Sequence, residues 1–278
     1  MTAHKDDARR NKQADGSRAE RPADPLMVLS VEKAFRVLES FDPTHASMSL
    51  SQVASVAGLD KSAAQRFTHT LEKLGYLRKD PVSKHFEMTT RALKLGHNFT
   101  RANPLIERAA PYLMHLSKTT EETINLTVRD DTEIVFVLRF LSRQVLNPDV
   151  TIGTRMPAYC TAPGIAMLSR MRPEDARRIL ERTDLRAYTP DTTWQIDTLM
   201  EKIALSAARG YATAFEEFYH GDLSIAAAAV TSRQEPACAV NIAVSRARYT
   251  RQDAEKRFSS LVVAAARSIS QGLPQPHG

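Results

Sequence analysis

At 278 residues, 42% of them hydrophobic and 25% charged, the chain has the make-up of a globular protein with room for one small and one large domain. The net charge of +6 is modest, and no run of about 18 apolar residues exists, which excludes a membrane-spanning helix. The two cysteines, Cys160 and Cys238, lie far apart and in no metal-ligand spacing, so the expectation is a reduced, cytoplasmic protein without a metal or cofactor.

Residues 1–25 carry net +1 with almost no large apolar side chain, which predicts a disordered tail. The charged start lacks the apolar segment of a signal peptide. The alternative for this tail is a basic arm entering a minor groove through Arg9, Arg10, Lys12, Arg18 and Arg21; its near-equal acidic content argues against that. Residues 26–100 carry net +3 and residues 101–278 net +2, so the positive excess is densest in the smaller part, as a phosphate-binding surface requires. Ser30 is placed to cap a first helix with Val31, Ala34, Phe35, Leu38 and Phe41 apolar, ending at Asp42-Pro43. A loop or short strand follows over 44–49.

Ser51 is the expected cap of a second helix carrying Val53, Ala54, Val56 and Ala57. Gly58 stops it, and Leu59 plugs the turn. Asp60 caps a third helix over 61–74, in which Ala64, Phe67, Leu71 and Leu74 form the predicted buried stripe. Strands at 76–79 and 85–88 flank a bend at Asp80-Pro81, with Lys79, Lys84 and His85 near the tip. Two helices, a glycine-centred turn and a hairpin make a winged helix-turn-helix over 26–89, whose natural target is the major groove of double-stranded operator DNA. The candidate DNA contacts are Ser51, Lys61, Ser62, Ala63, Gln65, Arg66, His69, Lys79 and Lys84. Gln suits adenine, Arg suits guanine, and Ser or Lys reaches phosphate. A single amphipathic helix with ordinary surface charges is the competing reading, and the neighbouring turn and hairpin argue against it.

A helical linker is expected over 90–104, with Leu93, Leu95 and Phe99 apolar. Pro104 interrupts the pattern and 105–118 resumes it. This helical pair is the expected connector and dimer surface. From Thr123 the period becomes two: strands at 123–129 and 133–140 turn at Asp130-Asp131, and 145–152 reads as a further extended piece. Helices are predicted over 163–171, 173–182, 193–209 and 251–272, and strands over 211–215, 224–231 and 238–244. The fold class is α+β, with a large domain over 105–278 built on an antiparallel sheet flanked by helices.

The order of these elements, with VEKAFRVLESF, LSQVASVAGLDKSAAQRFTHTLEKLGYL and RALKLG in the small domain and GTRMPAYCTAPGIAML, ARGYATAFEEFYHGDLSIAAAAV and ACAVNIAV in the large one, resembles the IclR-type transcriptional regulators over roughly residues 27–272. The segments PAYCT, LSIA and the Asn241 strand are most similar to the branch controlling aromatic-acid breakdown, which includes the protocatechuate and 4-hydroxybenzoate regulators. The resemblance implies a homodimer or dimer of dimers, a GAF-like effector domain, and a pocket between the concave sheet face and the loop of Tyr159, Cys160 and Thr161. The chain departs from that branch in two places. It has Ile165 where members often carry Arg, and Ala228 where many carry Pro.

An aromatic carboxylate needs an apolar slot and a few donors. Tyr159, Thr161, Ser224 and Asn241 are the candidate donors; Ile165, Ile225, Ala226, Val240 and Ile242 are the candidate walls. Arg155 or Arg139 is the candidate for the charged contact, because a guanidinium fork matches a carboxylate. The alternative makes Tyr159 and Asn241 structural and both arginines surface groups. Cys160 reads either as a pocket residue, as a thiol activated by His115 or His220, or as a small buried side chain. Glu216, Glu217, His220 and Asp222 invite a catalytic or metal reading, but with no phosphate loop, nucleophile elbow or HExxH a charged surface loop is the expectation. The function that follows is a cytoplasmic regulator of a catabolic operon sensing a small organic acid, with RNA polymerase as a further partner. The rival classes are an enzyme acting on a small carboxylate and a ligand-independent architectural DNA binder.

Overall fold

The computed structural model describes residues 24, 26–143 and 149–273. The predicted tail and its basic arm, and residues 145–148 of the 145–152 segment, lie outside them; residues 149–152 form a turn with irregular backbone rather than a strand. The chain divides into two compact units between Leu93 and Lys94.

The first unit contains α1 (Leu29–Glu39), β1 (Ser47–Met48), α2 (Leu50–Val56), α3 (Lys61–Lys73), β2 (Leu77–Lys79) and β3 (Phe86–Met88). Its three-stranded antiparallel sheet has the order β1-β3-β2. Val37, Met48, Val53, Ala57, Leu71, Leu77 and Phe86 form one small core. Two predicted caps are displaced. Helix α1 starts after Val28 with no side-chain cap, and Ser30 lies inside it. Helix α2 is capped by Ser49, which makes a capping box with Gln52, so Ser51 is an exposed residue of its first turn. The α1 stripe is also rotated: Val37 is fully buried, whereas Val31 and Phe35 are half exposed. In α3 the buried positions are Ala64, Thr68 and Leu71, and Leu74 is exposed. Thr68 enters the interior because its hydroxyl donates to Ala64 O at 2.8 Å, which satisfies its polar group within the helix.

The first unit closes with a 3-10 turn at Thr90–Ala92, and α4 (Leu93–Ala102) runs on into the second; it buries no residue and exposes Leu93, Leu95 and Phe99. Pro104 does not break a helix. It opens α5 (Pro104–Thr120), where the missing N–H costs nothing, and Asn103 caps that end by accepting from Leu105 N at 3.0 Å. Strands β4 (Thr123–Asp130), β5 (Glu133–Phe140), β6 (Arg155–Pro157), β7 (Ala212–Phe215), β8 (Asp222–Val230) and β9 (Pro236–Ser245) form an antiparallel sheet of order β6-β5-β4-β9-β8-β7. Strand β6 went unpredicted: three residues are too few to show a period.

Helices cover both faces of this sheet. One face packs on α6 (Ala162–Leu168), α7 (Pro173–Glu181) and α8 (Ile196–Arg209), and the other on α5 and α9 (Arg251–Gln271). That explains why β8 reads LSIAAAAV without alternation, since a strand covered twice is apolar throughout. Its alanines also admit helices closely: Ala226 and Ala228 lie under α6, and Ala227 and Ala229 face α9. Helix α6 approaches so closely that a Cβ at Gly164 would lie 2.0 Å from Ala158 O.

Candidate functional site

The first unit presents a continuous polar surface. Asp60 caps α3 by accepting from Ala63 N at 2.8 Å. Arg36 fixes the preceding turn through a guanidinium bond of 3.1 Å to Gly58 O. Gly58 has a φ of +62° there, which favours glycine, and a Cβ would also displace the Arg36 guanidinium, lying 2.6 Å from its Nη2. Lys61, Ser62, Gln65, Arg66 and His69 are exposed along α3, and Ala63 is half-buried at its start. Gln65, Arg66, His69 and Lys79 border one shallow groove shared by α3 and the hairpin. At the hairpin tip Asp80 accepts from Val82 N and Ser83 N, and Lys84 adopts φ +62° with its Nζ bonded to Pro81 O at 2.7 Å. The tip is thereby shaped by its own hydrogen bonds, with Lys79 and Lys84 exposed on it.

The second unit contains a cleft of about 630 Å³, partly open to solvent, between the centre of the sheet and the start of α6. Its floor follows from strand alternation. On β4, Ile124 and Leu126 face α5 and α9, which sends Thr123 and Asn125 to the cleft. In the same way β9 sends Asn241 and Ala243 inward, and β8 sends Asp222 and Ser224. Asn125 and Asn241 stand opposite one another on β4 and β9, and Arg139 is opposite Asn125 on β5. Arg139 Nε donates to Asn125 Oδ1 at 2.9 Å, and Asn241 Nδ2 donates to Ser224 Oγ at 3.0 Å. Phe136, Val150, Met156, Phe218 and Tyr219 supply apolar and aromatic walls. Tyr188, Phe218 and Tyr219 stack in series, with centroids 4.6 and 4.8 Å apart.

The predicted ligand residues divide. Arg139, Cys160, Thr161, Ser224 and Asn241 line the cleft. Arg155, Tyr159, Ile165, Ile225 and Ala226 do not. Arg155 lies on the edge strand β6 and is engaged by Asp130 and Glu133 on the outer surface, each at 2.7 Å. Tyr159 is buried, with its hydroxyl donating to Arg186 O at 2.6 Å and accepting from Arg186 N at 3.0 Å. Ile165 and Ala226 sit in the α6 core, and Ile225, Val240 and Ile242 face the opposite side of the sheet.

The acidic cluster after β7 is no surface loop, because Glu216 and Glu217 are both buried. Glu217 pairs with Lys202, and Glu216 pairs with Arg246 and Arg251. Thr189 and Thr192 pin the backbone carbonyls of the two glutamates at 2.6 Å each. Only His220 of that cluster is exposed. Asp222 turns into the cleft, where burial pushes its carboxyl up to about 7 against the pull of Arg139. Burial lowers the Arg139 pKa. It also pushes the Cys160 thiol up to about 12, so this sulfur carries no thiolate at neutral pH. Thr123 and Asn125 line the cleft without having been expected there, and so do Glu217 and Asp222, which were expected in a charged surface loop. The signal was present in the polar residues at alternate positions of β4 beside an apolar opposite set, and in Asp222 two residues before Ser224.

A hairpin-flanked helix pair with an exposed basic and polar helix, joined to a second unit with a partly open cleft of polar floor and apolar walls, defines a helix-turn-helix DNA-binding regulator with a separate effector domain. Residues 30–81 match the IclR helix-turn-helix domain, and residues 97–271 match the C-terminal domain of bacterial transcriptional regulators of the IclR type. The chain belongs to the IclR family of transcriptional regulators. It is 28% identical over 251 residues to the Pca regulon regulatory protein of Pseudomonas putida, covering 90% of this chain and 86% of that one. A transcriptional regulator of Rhodococcus sp. RHA1 matches it in structure with a TM-score of 0.77 and 30% identity, over 88% of this chain and 98% of that one. An IclR homologue from Microbacterium hydrocarbonoxydans, solved with 4-hydroxybenzoate, has a TM-score of 0.72 and 20% identity, over 87% of this chain and 98% of that one. Among the described residues no helix is long and apolar enough to cross a membrane, and no cluster of His, Cys, Asp and Glu could hold a metal ion.

Proposed function

We propose that this protein regulates a catabolic operon by reading operator DNA through α3 and sensing a small aromatic carboxylic acid in the cleft of its second unit. One observation carries the sensing reading. Arg139 is half-buried with its Nη1 unpaired in a cleft whose walls include Phe136, Phe218 and Tyr219. A guanidinium so placed suits a carboxylate, and the aromatic walls suit a ring. The relative named for the Pca regulon and the homologue solved with 4-hydroxybenzoate support the same class of ligand.

The exposed polar face of α3 and the hairpin lysines support operator reading, with Gln65 and Arg66 on base edges and Lys61, Ser62, Lys79 and Lys84 on phosphates. The exposed apolar residues of α1 and α4, Phe35, Leu93, Leu95 and Phe99 among them, support homodimerisation, which pairs two reading helices on a palindrome. A ligand acts only through unequal affinity for two arrangements of that pair. A thermal-shift screen of aromatic and aliphatic carboxylates tests the sensing reading: an aromatic acid raises the melting temperature, and Ser224→Leu abolishes the shift while sparing operator binding. Shifts only with aliphatic acids, or an unimpaired shift in Ser224→Leu, contradict it.

A further inference from the structure

Among the described residues, four buried side-chain polar atoms lack a hydrogen-bond partner: Arg129 Nε, Arg139 Nη1, Asp222 Oδ1 and Asn241 Oδ1. Three of these four residues line the same cleft. Buried polar groups are normally paired, and a convergent unpaired set is the outline of a ligand's own polar groups. One of the three atoms is a donor and two are acceptors. A plain monocarboxylate answers only the donor, Arg139.

Asp222 and Asn241 are the acceptors that a plain acid leaves unanswered, and Asp222 is the one that carries charge. It lies two residues before Ser224 on β8, and β8 is separated from β5 by β9 and β4. The backbones under Asp222 and Arg139 are thus three strand spacings apart across the sheet, roughly 14 Å, and are also offset along it, because the Arg139 row runs through Asn125 and Asn241 to Ala226 while Asp222 is level with Ser245. The long arginine and the short aspartate enter the cleft from opposite sides, and their two unpaired atoms do not satisfy each other. Glu217 also lines the cleft, but its carboxylate is occupied by Lys202. Asp222 Oδ1 has no hydrogen-bond partner, so the ionised carboxylate takes a donor from the ligand.

We propose that Asp222 is a specificity-determining residue. It accepts a hydrogen bond from a hydroxyl or amino group at the end of the ligand opposite the carboxylate held by Arg139. The cleft then selects hydroxy- or amino-substituted acids over the same acids lacking that group and, while Asp222 is ionised, rejects diacids, whose second carboxylate would face it. This inference rests on the acid-sensing reading of the cleft. A site built to hydrogen-bond a hydroxyl discriminates strongly against the analogue without it, because its own polar group is then left buried and unpaired.

Isothermal titration of the full-length protein at pH 8, where Asp222 is ionised, with benzoate, 4-hydroxybenzoate, 4-(aminomethyl)benzoate and terephthalate tests it, the second and third probes separating a hydroxyl from an ammonium donor. At least one donor-bearing probe is expected to bind about tenfold or more tightly than benzoate, and terephthalate more weakly than benzoate. Asp222→Leu and Asp222→Ala should each erase the preference for the donor while retaining operator affinity, which serves as the check on folding. Equal affinities of benzoate and both donor-bearing probes for the unsubstituted protein overturn this inference alone. So does a preference that survives in either variant. Failure of all four probes to bind overturns the acid-sensing reading and this inference with it.

Discussion

Arg139 donates through Nε to Asn125 Oδ1 at 2.9 Å from the strand alongside, and this single bond aims the rest of the guanidinium into the cleft. Arg155, also on the sheet, is instead saturated by Asp130 and Glu133 on the outside. The two arginines therefore have separable roles. Arg139→Gln should abolish the thermal shift produced by a carboxylate ligand. Arg155→Ala should leave that shift intact and lower stability by no more than about 1 kcal/mol, as expected for exposed ion pairs. Thermal melts of both variants with and without ligand make the comparison, and an equal loss of response in both would contradict it.

Asp222 gives the fold a pH dependence whose sign is set by burial. Its carboxyl is pushed from 3.8 up to about 7 in the folded protein. Between these values the folded state holds a proton that the unfolded chain has released, so this residue's contribution falls as pH rises from about 4 to 7 and is level beyond. The groups around it are Arg139 from β5, Glu217 and Tyr219 from the β7–β8 connection, and Lys202 from α8, paired with Glu217. Asp222→Asn removes the penalty of ionising a buried acid. It should match the unsubstituted protein near pH 4.5 and exceed its stability at pH 8 by roughly 1–3 kcal/mol. Chemical denaturation at the two pH values checks this, and a gap that does not widen with pH counts against it.

Gly164 sits where α6 touches the preceding turn, and any Cβ would overlap the Ala158 backbone. Backbone on backbone cannot be relieved by a rotamer change. Gly164→Ala should destabilise the second unit by about 3 kcal/mol or more, overriding the helix propensity that alanine normally adds. A melting temperature at or above that of the unsubstituted protein would show that α6 lifts away without cost.

The parts of this architecture with a strong period or a cap were legible from residues alone. The spans of α3, α7, α9, β4 and β5, and the Asp60 cap, follow from local pattern. What failed were assignments needing tertiary information. Ser49 outcompetes Ser51 as a cap because Gln52 stands three residues on and completes the box. The face of each strand in the second unit could be known only once both faces were seen to be covered. Ile225 then turned to the α9 side, and Asn125 and Asp222 to the cleft. Glu216 and Glu217 read as surface charges because their partners, Arg246, Arg251 and Lys202, come from distant segments.

The exposed polar side of α3 is expected to read operator DNA. Fluorescence anisotropy with a duplex from the protein's own promoter tests it most directly, using the unsubstituted protein, Gln65→Ala and Arg66→Ala. Loss of one base-edge contact should weaken specific binding by roughly 1–3 kcal/mol while leaving the affinity for unrelated DNA nearly unchanged. Unaltered affinity for the promoter duplex in both variants would contradict the account.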